Sequence, residues 1–171
     1  VDAIATYRLQ PRLRQNGMRS VRILRLLKKS SPKNIGGGRL KISVREWVDD
    51  VRYTSLTGCD PRGLLGRQMK GPGAMIAFTV RGGHEAAAAV MRSVMLATPA
   101  VSLGACDTLI QHPAGLTHRV VGAMALEEMG ITPGMLRLSV GLEDVEDLWQ
   151  DLDGSLRASV REAEMMGVGA L

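Results

Sequence analysis

Aromatic residues and cysteines are both scarce in this sequence. Aromatic side chains make up 3% of the 171 residues, so ten methionines and many aliphatic residues must fill the core instead. The two cysteines, Cys59 and Cys106, are too few for a disulfide scaffold and lack zinc-site spacing. We therefore expect a reducing, cytoplasmic environment and no metal site.

Long apolar runs are also lacking. No run reaches the roughly 18 residues that a membrane span needs, and no charged segment leads into an apolar run near the start. The sequence therefore indicates neither a membrane protein nor a secretory signal. Apolar content of 45% with 23% charged residues fits one globular domain with or without an appendage. Because the first residue is Val1 rather than Met, we expect a fragment of a longer protein.

Positive charge is concentrated in the first quarter of the chain. Residues 1–41 hold eleven Lys or Arg against one acid, whereas residues 42–171 hold eleven against sixteen. Apolar spacing from Pro11 to Lys29 predicts a long basic helix, and the Gly-rich stretch that follows predicts a linker. We thus expect residues 1–41 to lead into an α+β domain at 42–171. Nucleic-acid binding by the basic helix is one hypothesis, but a solvated face is favoured because only Tyr7 could stack on a base.

The remaining residues alternate between strand-like and helix-like patterns. Strands are predicted at 74–80, 98–103 and 135–140, helices at 84–96, 120–129 and from 143 onward, and a loop at 107–118. The sequence therefore predicts a two-layer α+β domain, with helices on one face of a small, mainly antiparallel sheet.

Arg137 is unusual because it lies inside an apolar strand. Alternation places Leu136 and Leu138 on one face of this strand and Arg137 and Ser139 on the other. If the leucines pack on helices, the guanidinium leaves the opposite face, where its planar fork suits a carboxylate. The alternative is a salt bridge to the acids at 143–147, and spacing alone does not separate the two.

Other polar candidates carry weaker signals. The Ser-Leu-Gly bend at 102–104 could offer a hydroxyl and backbone N–H groups to an anion, although most such bends are only turns. His84, His112 and His118 lack zinc-ligand spacing, so structural or solvent-facing roles are favoured. Nucleophile-elbow and phosphate-loop motifs are absent from the sequence, which leaves hydrolase and nucleotide-binding readings unsupported.

Three stretches carry specific motifs in addition to their helix and strand patterns: "QMKGPGAMIAF" from Gln68, "AVSLGACDTLIQHPAGLTH" from Ala100 and "GITPGMLRLSVGLEDVEDLWQDL" from Gly130. They closely resemble the C-terminal domain of the Cys/Met-metabolism family of pyridoxal-phosphate enzymes. Its members include methionine and cystathionine gamma-lyases, cystathionine gamma-synthase and homoserine-ester sulfhydrylases. The segment "YRLQPRLRQNGMRSVRILRLL" also resembles the helix that enters this domain. The resemblance implies the small domain of a fold-type I enzyme.

The resemblance also implies residue roles. Arg137 matches the arginine that binds the substrate α-carboxylate, and Ser102 matches the serine that assists it. Thr117 and His118 match the "TH" that closes the neighbouring loop, so Thr117 is a further expected substrate-binding residue. Val101 resembles the apolar residue of methionine gamma-lyases more than the glutamate of cystathionine lyases.

The implied function is the C-terminal portion of a carbon–sulfur lyase of sulfur amino-acid metabolism and transsulfuration. Pyridoxal phosphate is the cofactor of the complete enzyme, but the Schiff-base lysine, the acid for the pyridinium nitrogen and the phosphate cup belong to the family's preceding large domain. None of this chain's five lysines stands in the family's Schiff-base context. We therefore expect a chain that is inactive alone, requires a missing large domain or partner chain, and belongs to a homo-oligomer when complete.

Two further hypotheses remain open at the level of sequence. Within the family, the chain could derive from a homoserine-ester sulfhydrylase or a cystathionine gamma-synthase rather than a lyase. Outside catalysis, it could be an α+β module that binds amino acids or a protein partner after loss of its catalytic half.

Overall fold

The computed structural model describes residues 47–165. In chain order, the elements are β1 (Val48–Arg52), β2 (Met75–Val80), α1 (Gly83–Ser93), β3 (Thr98–Pro99), β4 (Leu109–Gln111), α2 (Ala123–Glu128), β5 (Met135–Ser139) and α3 (Val145–Met165). The predicted basic helix and linker at 1–41, with the boundary that follows them, lie outside the described residues.

The five strands form one sheet in the order β1-β2-β5-β4-β3. Three of the four neighbouring pairs are antiparallel, and only β3 and β4 run parallel. β5 lies at the centre, paired with β2 on one side and β4 on the other. The predicted α+β class with a small, mainly antiparallel sheet is confirmed.

One face of the sheet is covered by α1 and α3. Alternate residues of the two central strands supply the sheet side of this core, and α1 contributes small side chains that allow a close approach. The core includes Ile76, Phe78, Val80, Ala86, Ala87, Val90, Leu136, Leu138, Leu148, Leu152 and Leu156. Each large aliphatic side chain buried here contributes about 1.5–3 kcal/mol relative to exposure. The short helix α2 buries none of its residues.

The sheet contains a strand that the sequence pattern did not predict. β4 falls inside the predicted loop at 107–118, while the strand predicted at 98–103 shrinks to Thr98–Pro99. All three residues of β4 are buried, so the strand shows no alternation between apolar and polar positions. A strand this short and buried on both faces carries no period from which it could be recognised. β1 was likewise not predicted.

Helix α1 ends three residues earlier than predicted. Val94 adopts an extended conformation after Ser93. The Asp151 carboxylate on α3 then accepts hydrogen bonds from the backbone N–H groups of Met95, Leu96 and Ala97 at 2.7, 2.9 and 3.0 Å. A tertiary contact from a distant helix therefore sets this end, which local helix propensity could not indicate. None of the helices within residues 47–165 is both long and apolar enough to cross a membrane.

A buried glycine joins the end of β5 to the segment before β4. Gly141 donates its N–H to Thr108 Oγ1 at 2.8 Å, and the Glu143 carboxylate accepts the Thr108 hydroxyl at 2.6 Å and its backbone N–H. A Cβ at position 141 would overlap backbone atoms of residues 106–108. Backbone atoms cannot rotate away as a flexible side chain can, so this position excludes larger residues.

We expect Gly141→Ala to destabilise the fold by about 2 kcal/mol or more, because the added methyl group forces packed backbone apart. Gly154→Ala is the matched control: position 154 lies within α3 and a Cβ there meets nothing within 4 Å. That control should instead stabilise by about 0.5–1 kcal/mol. Urea unfolding of both variants measures the difference, and equal effects would contradict the packing argument.

Candidate functional site

The face of the sheet opposite the helices carries Arg137 beside the register partners of its strand. Arg137 pairs with Ala77 of β2 and with Gln111 of β4. Leu136 and Leu138, on either side of it, are fully buried in the helical core. Because successive side chains of a strand point to opposite faces, the guanidinium lies on the face away from the helices.

Arg137 is held by backbone carbonyls rather than by an acid. Its Nη2 donates to the carbonyl oxygen of Ser102 at 2.8 Å, with a longer contact of 3.4 Å to that of Val101. Within residues 47–165 it forms no ion pair. The alternative salt bridge is not formed, because Glu143 binds Thr108 and Asp144 accepts the backbone N–H of Glu146 at 2.8 Å.

One edge of the guanidinium lacks a partner. Arg137 Nε is buried and makes no hydrogen bond. Burial lowers the pKa of Arg137, but the group starts so high that it stays charged at neutral pH. A partly desolvated cation with an unpaired N–H is costly, and an anionic acceptor is the group that relieves that cost most.

The segment at 101–104 lies over β5 and is fixed there at two points. Arg137 binds its carbonyls, and the N–H of Gly104 donates to Ser139 Oγ at 2.9 Å. Ser102 is exposed, as are Val101 at 62% and Leu103 at 56%. The structure therefore brings Ser102 and Arg137 together, with a hydroxyl-bearing residue and two apolar side chains in one short segment.

Thr117 is linked to Arg137 indirectly. Its Oγ1 accepts a hydrogen bond from Gln111 Nε2 at 2.7 Å and lies 2.8 Å from His118 Nδ1. Gln111, the register partner of Arg137, was not among the residues singled out from the sequence. The available signal is the polar residue that ends the apolar run "TLIQ", but the Pro113 and Gly115 that follow it indicate a loop.

His112 has a structural position. It is 3% exposed, its Nε2 lies 2.7 Å from the Pro133 carbonyl oxygen, and its ring packs 4.7 Å from that of His84. Burial lowers the pKa of His112 from its ordinary 6.5, and the nearby His84 acts in the same direction. Within the described part of the chain, no group of three or more His, Cys, Asp or Glu side chains could hold a metal ion.

The described residues do not fit a covalently held pyridoxal cofactor. Lys70 is the single lysine in residues 47–165, and it is exposed in the loop between β1 and β2. A Schiff-base lysine belongs in a shielded cleft that also holds the cofactor's phosphate and ring nitrogen. The cation at Arg137, held only by neutral carbonyl acceptors, suits an anion.

Comparison with known proteins gives this arrangement a context. Residues 9–157 match the family of Cys/Met metabolism PLP-dependent enzymes, and the chain belongs to that family. The L-methionine gamma-lyase of Brevibacterium sandarakinum is 46% identical over 141 residues, which are 82% of this chain and 35% of that protein. The L-methionine gamma-lyase of Streptomyces avermitilis is 52% identical over 111 residues, 64% of this chain and 26% of that protein.

Solved structures agree with the sequence relatives. Cystathionine gamma synthase from Xanthomonas oryzae pv. oryzae matches 90% of this chain and 36% of its own, with 35% identity and a TM-score of 0.71. Cystathionine gamma lyase from Micromonospora echinospora matches 87% of this chain and 35% of its own, with 31% identity and the same TM-score. The chain thus spans between about a quarter and just over a third of the length of these relatives. The family implies pyridoxal phosphate as the cofactor of the complete enzyme.

We expect the stability of the fold to fall as the pH drops from 7 toward 5.5, in part through His112. Its pKa is lower in the folded chain, so below about pH 6.5 the unfolded chain binds the proton first and acidification favours unfolding. His112→Gln keeps a donor for the Pro133 carbonyl but cannot titrate, so its unfolding midpoint should depend less on pH. Parallel midpoint curves for the two proteins over this range would contradict the assignment.

Proposed function

We propose that this chain is the C-terminal, substrate-carboxylate-binding portion of a pyridoxal-phosphate-dependent carbon–sulfur lyase that acts on sulfur amino acids. The observation that carries the proposal is the half-buried Arg137 guanidinium on the sheet face away from the helices, with no acid beside it among residues 47–165 and with Nε unpaired. The identity of 46% to an L-methionine gamma-lyase supports the lyase class over others in the family.

Arg137 would bind the α-carboxylate through charge-assisted hydrogen bonds, and the exposed Ser102 would assist from the segment above it. A carboxylate gripped at this point cannot rotate freely, so the rest of the amino acid is presented in one orientation. Pyridoxal phosphate, held by another part of the enzyme, supplies the electron sink for the cleavage. The role proposed for this chain is binding and orientation.

The apolar surroundings favour an apolar substrate side chain. Val101 and Leu103, both more than half exposed, flank Ser102 in the segment that contacts Arg137. A thioether such as that of methionine gains by covering such surface, whereas a second charged group does not. We therefore propose methionine or homocysteine ahead of cystathionine. The cystathionine gamma-synthase and sulfhydrylase alternatives stay open, since a synthase and a lyase structure match with the same TM-score.

A second candidate is an amino-acid-binding module without catalysis of its own. The exposed position of Lys70, the one lysine among residues 47–165, favours this for the chain acting alone. For the complete enzyme we propose a homo-oligomer in the cytoplasm. The two free cysteines in the described residues, Cys59 and Cys106, are consistent with a reducing compartment.

We expect Arg137→Ala to weaken methionine binding at least about tenfold, because it removes the only charge-assisted contact proposed for the carboxylate. Titration calorimetry of the full chain measures this. Arg157→Ala is a matched control, since Arg157 lies on α3 and pairs with Asp153 at 2.8 Å. Methioninol, which lacks the carboxylate, should bind poorly to all three proteins. Equal methionine affinity in wild type and Arg137→Ala would refute the proposal.

We also expect the chain alone neither to bind pyridoxal phosphate covalently nor to cleave carbon–sulfur bonds. Incubation with the cofactor and borohydride should leave no stoichiometric adduct on any lysine by mass spectrometry. Lys70→Arg controls for adventitious labelling of the exposed lysine. A stoichiometric adduct at one specific lysine, accompanied by turnover of methionine, would contradict this expectation.

A further inference from the structure

Two buried polar atoms on the sheet face away from the helices lack partners, and their chemistry is complementary. Gln111 is 2% exposed, and its Oε1 makes no hydrogen bond. Arg137 Nε is buried and also unpaired. The first atom can only accept and the second can only donate. Because Gln111 and Arg137 are register partners on adjacent strands, their side chains leave the same face as neighbours.

The orientation of the Gln111 amide is set from the other side. Its Nε2 donates to Thr117 Oγ1, so the Thr117 hydroxyl proton is available to His118 Nδ1 at 2.8 Å. The Thr117 hydroxyl thus accepts from Gln111 and can donate to His118. Reversing the amide would place its NH₂ group beside the Arg137 Nε–H. Two donors would then face each other without an acceptor, which is unfavourable. The observed orientation leaves the amide oxygen for the arginine.

We propose that Gln111 is a positioning residue for Arg137. Its amide oxygen accepts the Nε–H of Arg137 when the guanidinium turns its Nη edge from the Ser102 carbonyl toward the carboxylate of an amino acid. The inference rests on the proposed function and deepens it. Thr117 then acts through Gln111, by holding the amide, instead of touching the substrate as the sequence motif suggested.

The neutrality of Gln111 is part of the proposal. An amide oxygen fixes Nε without cancelling the positive charge, so the Nη edge keeps its full attraction for an anion. A glutamate at the same position would form an ion pair with Arg137 and compete with the substrate. Gln111→Glu should therefore reduce methionine affinity more than Gln111→Met, although only the glutamate retains an acceptor.

Two measurements on the full chain test this role of Gln111. Nitrogen–proton NMR follows the Arg137 Nε–H signal, which is assigned as the peak that is absent from the spectrum of Arg137→Lys. Calorimetry gives the methionine dissociation constant for wild type, Gln111→Met, Gln111→Glu, Thr117→Val and Thr117→Ser. Gln150→Met, at an exposed position on α3, is the matched control.

With methionine bound, the wild-type Nε–H should exchange slowly with water, and Gln111→Met should speed this exchange and weaken methionine binding about tenfold. Thr117→Val should act in the same direction, and Thr117→Ser should restore the wild-type values. On the Arg137→Lys background, Gln111→Met should have no further effect, because lysine has no Nε to position.

The outcomes separate this inference from the function on which it rests. If Arg137→Ala abolishes methionine binding but Gln111→Met changes neither affinity nor Nε–H exchange, the positioning role is refuted and the carboxylate site stands. If methionine binds independently of Arg137, the proposed function fails. If Nε–H exchange is then also unchanged in Gln111→Met, the positioning role of Gln111 is refuted as well. If Gln111→Met does not fold, the Thr117→Val and Thr117→Ser pair decides.

Discussion

The register of β5 is the constraint on which the site depends. The strand turns Leu136 and Leu138 toward the helices and Arg137 and Ser139 toward the opposite face, while antiparallel ladders on both sides lock it in place. A slip by one residue would place the guanidinium in the helical core and expose both leucines. Burying an unpaired charge costs several kcal/mol. The apolar core therefore fixes the direction of the polar site.

The same strand also fixes the segment that completes the site. Arg137 and Ser139 hold residues 101–104 from beneath, and Gly141 is packed against residues 106–108 just beyond the end of β5. Segments far apart in sequence are thus tied to one rigid element. A binding site built on a central strand keeps its geometry better than one built on loops alone, because the ladder bonds and the core restrain every residue of the strand.

Alternation was sufficient to predict the two central strands and the face from which Arg137 leaves, because both depend on a period of two that the core enforces. It could not predict β4, whose buried residues show no period, or the end of α1, which Asp151 sets from another helix. Spacing also could not show whether Arg137 pairs with an acid, because that depends on the tertiary contact between Glu143 and Thr108. Because the sequence does not indicate β4, it also does not indicate that Gln111 is the register partner of Arg137.

The partners of Arg137 decide how it can act. A guanidinium paired with an acid is already neutralised, so an incoming carboxylate must displace an equal charge and gains little. In this chain the guanidinium contacts carbonyl oxygens instead. Carbonyls restrain a cation through their dipoles without cancelling its charge, so exchanging them for a carboxylate improves the electrostatics. The neutral amide of Gln111 beside it follows the same rule. An arginine surrounded by neutral acceptors is one that the fold keeps available for an anion, and the described part of this chain surrounds Arg137 in that way.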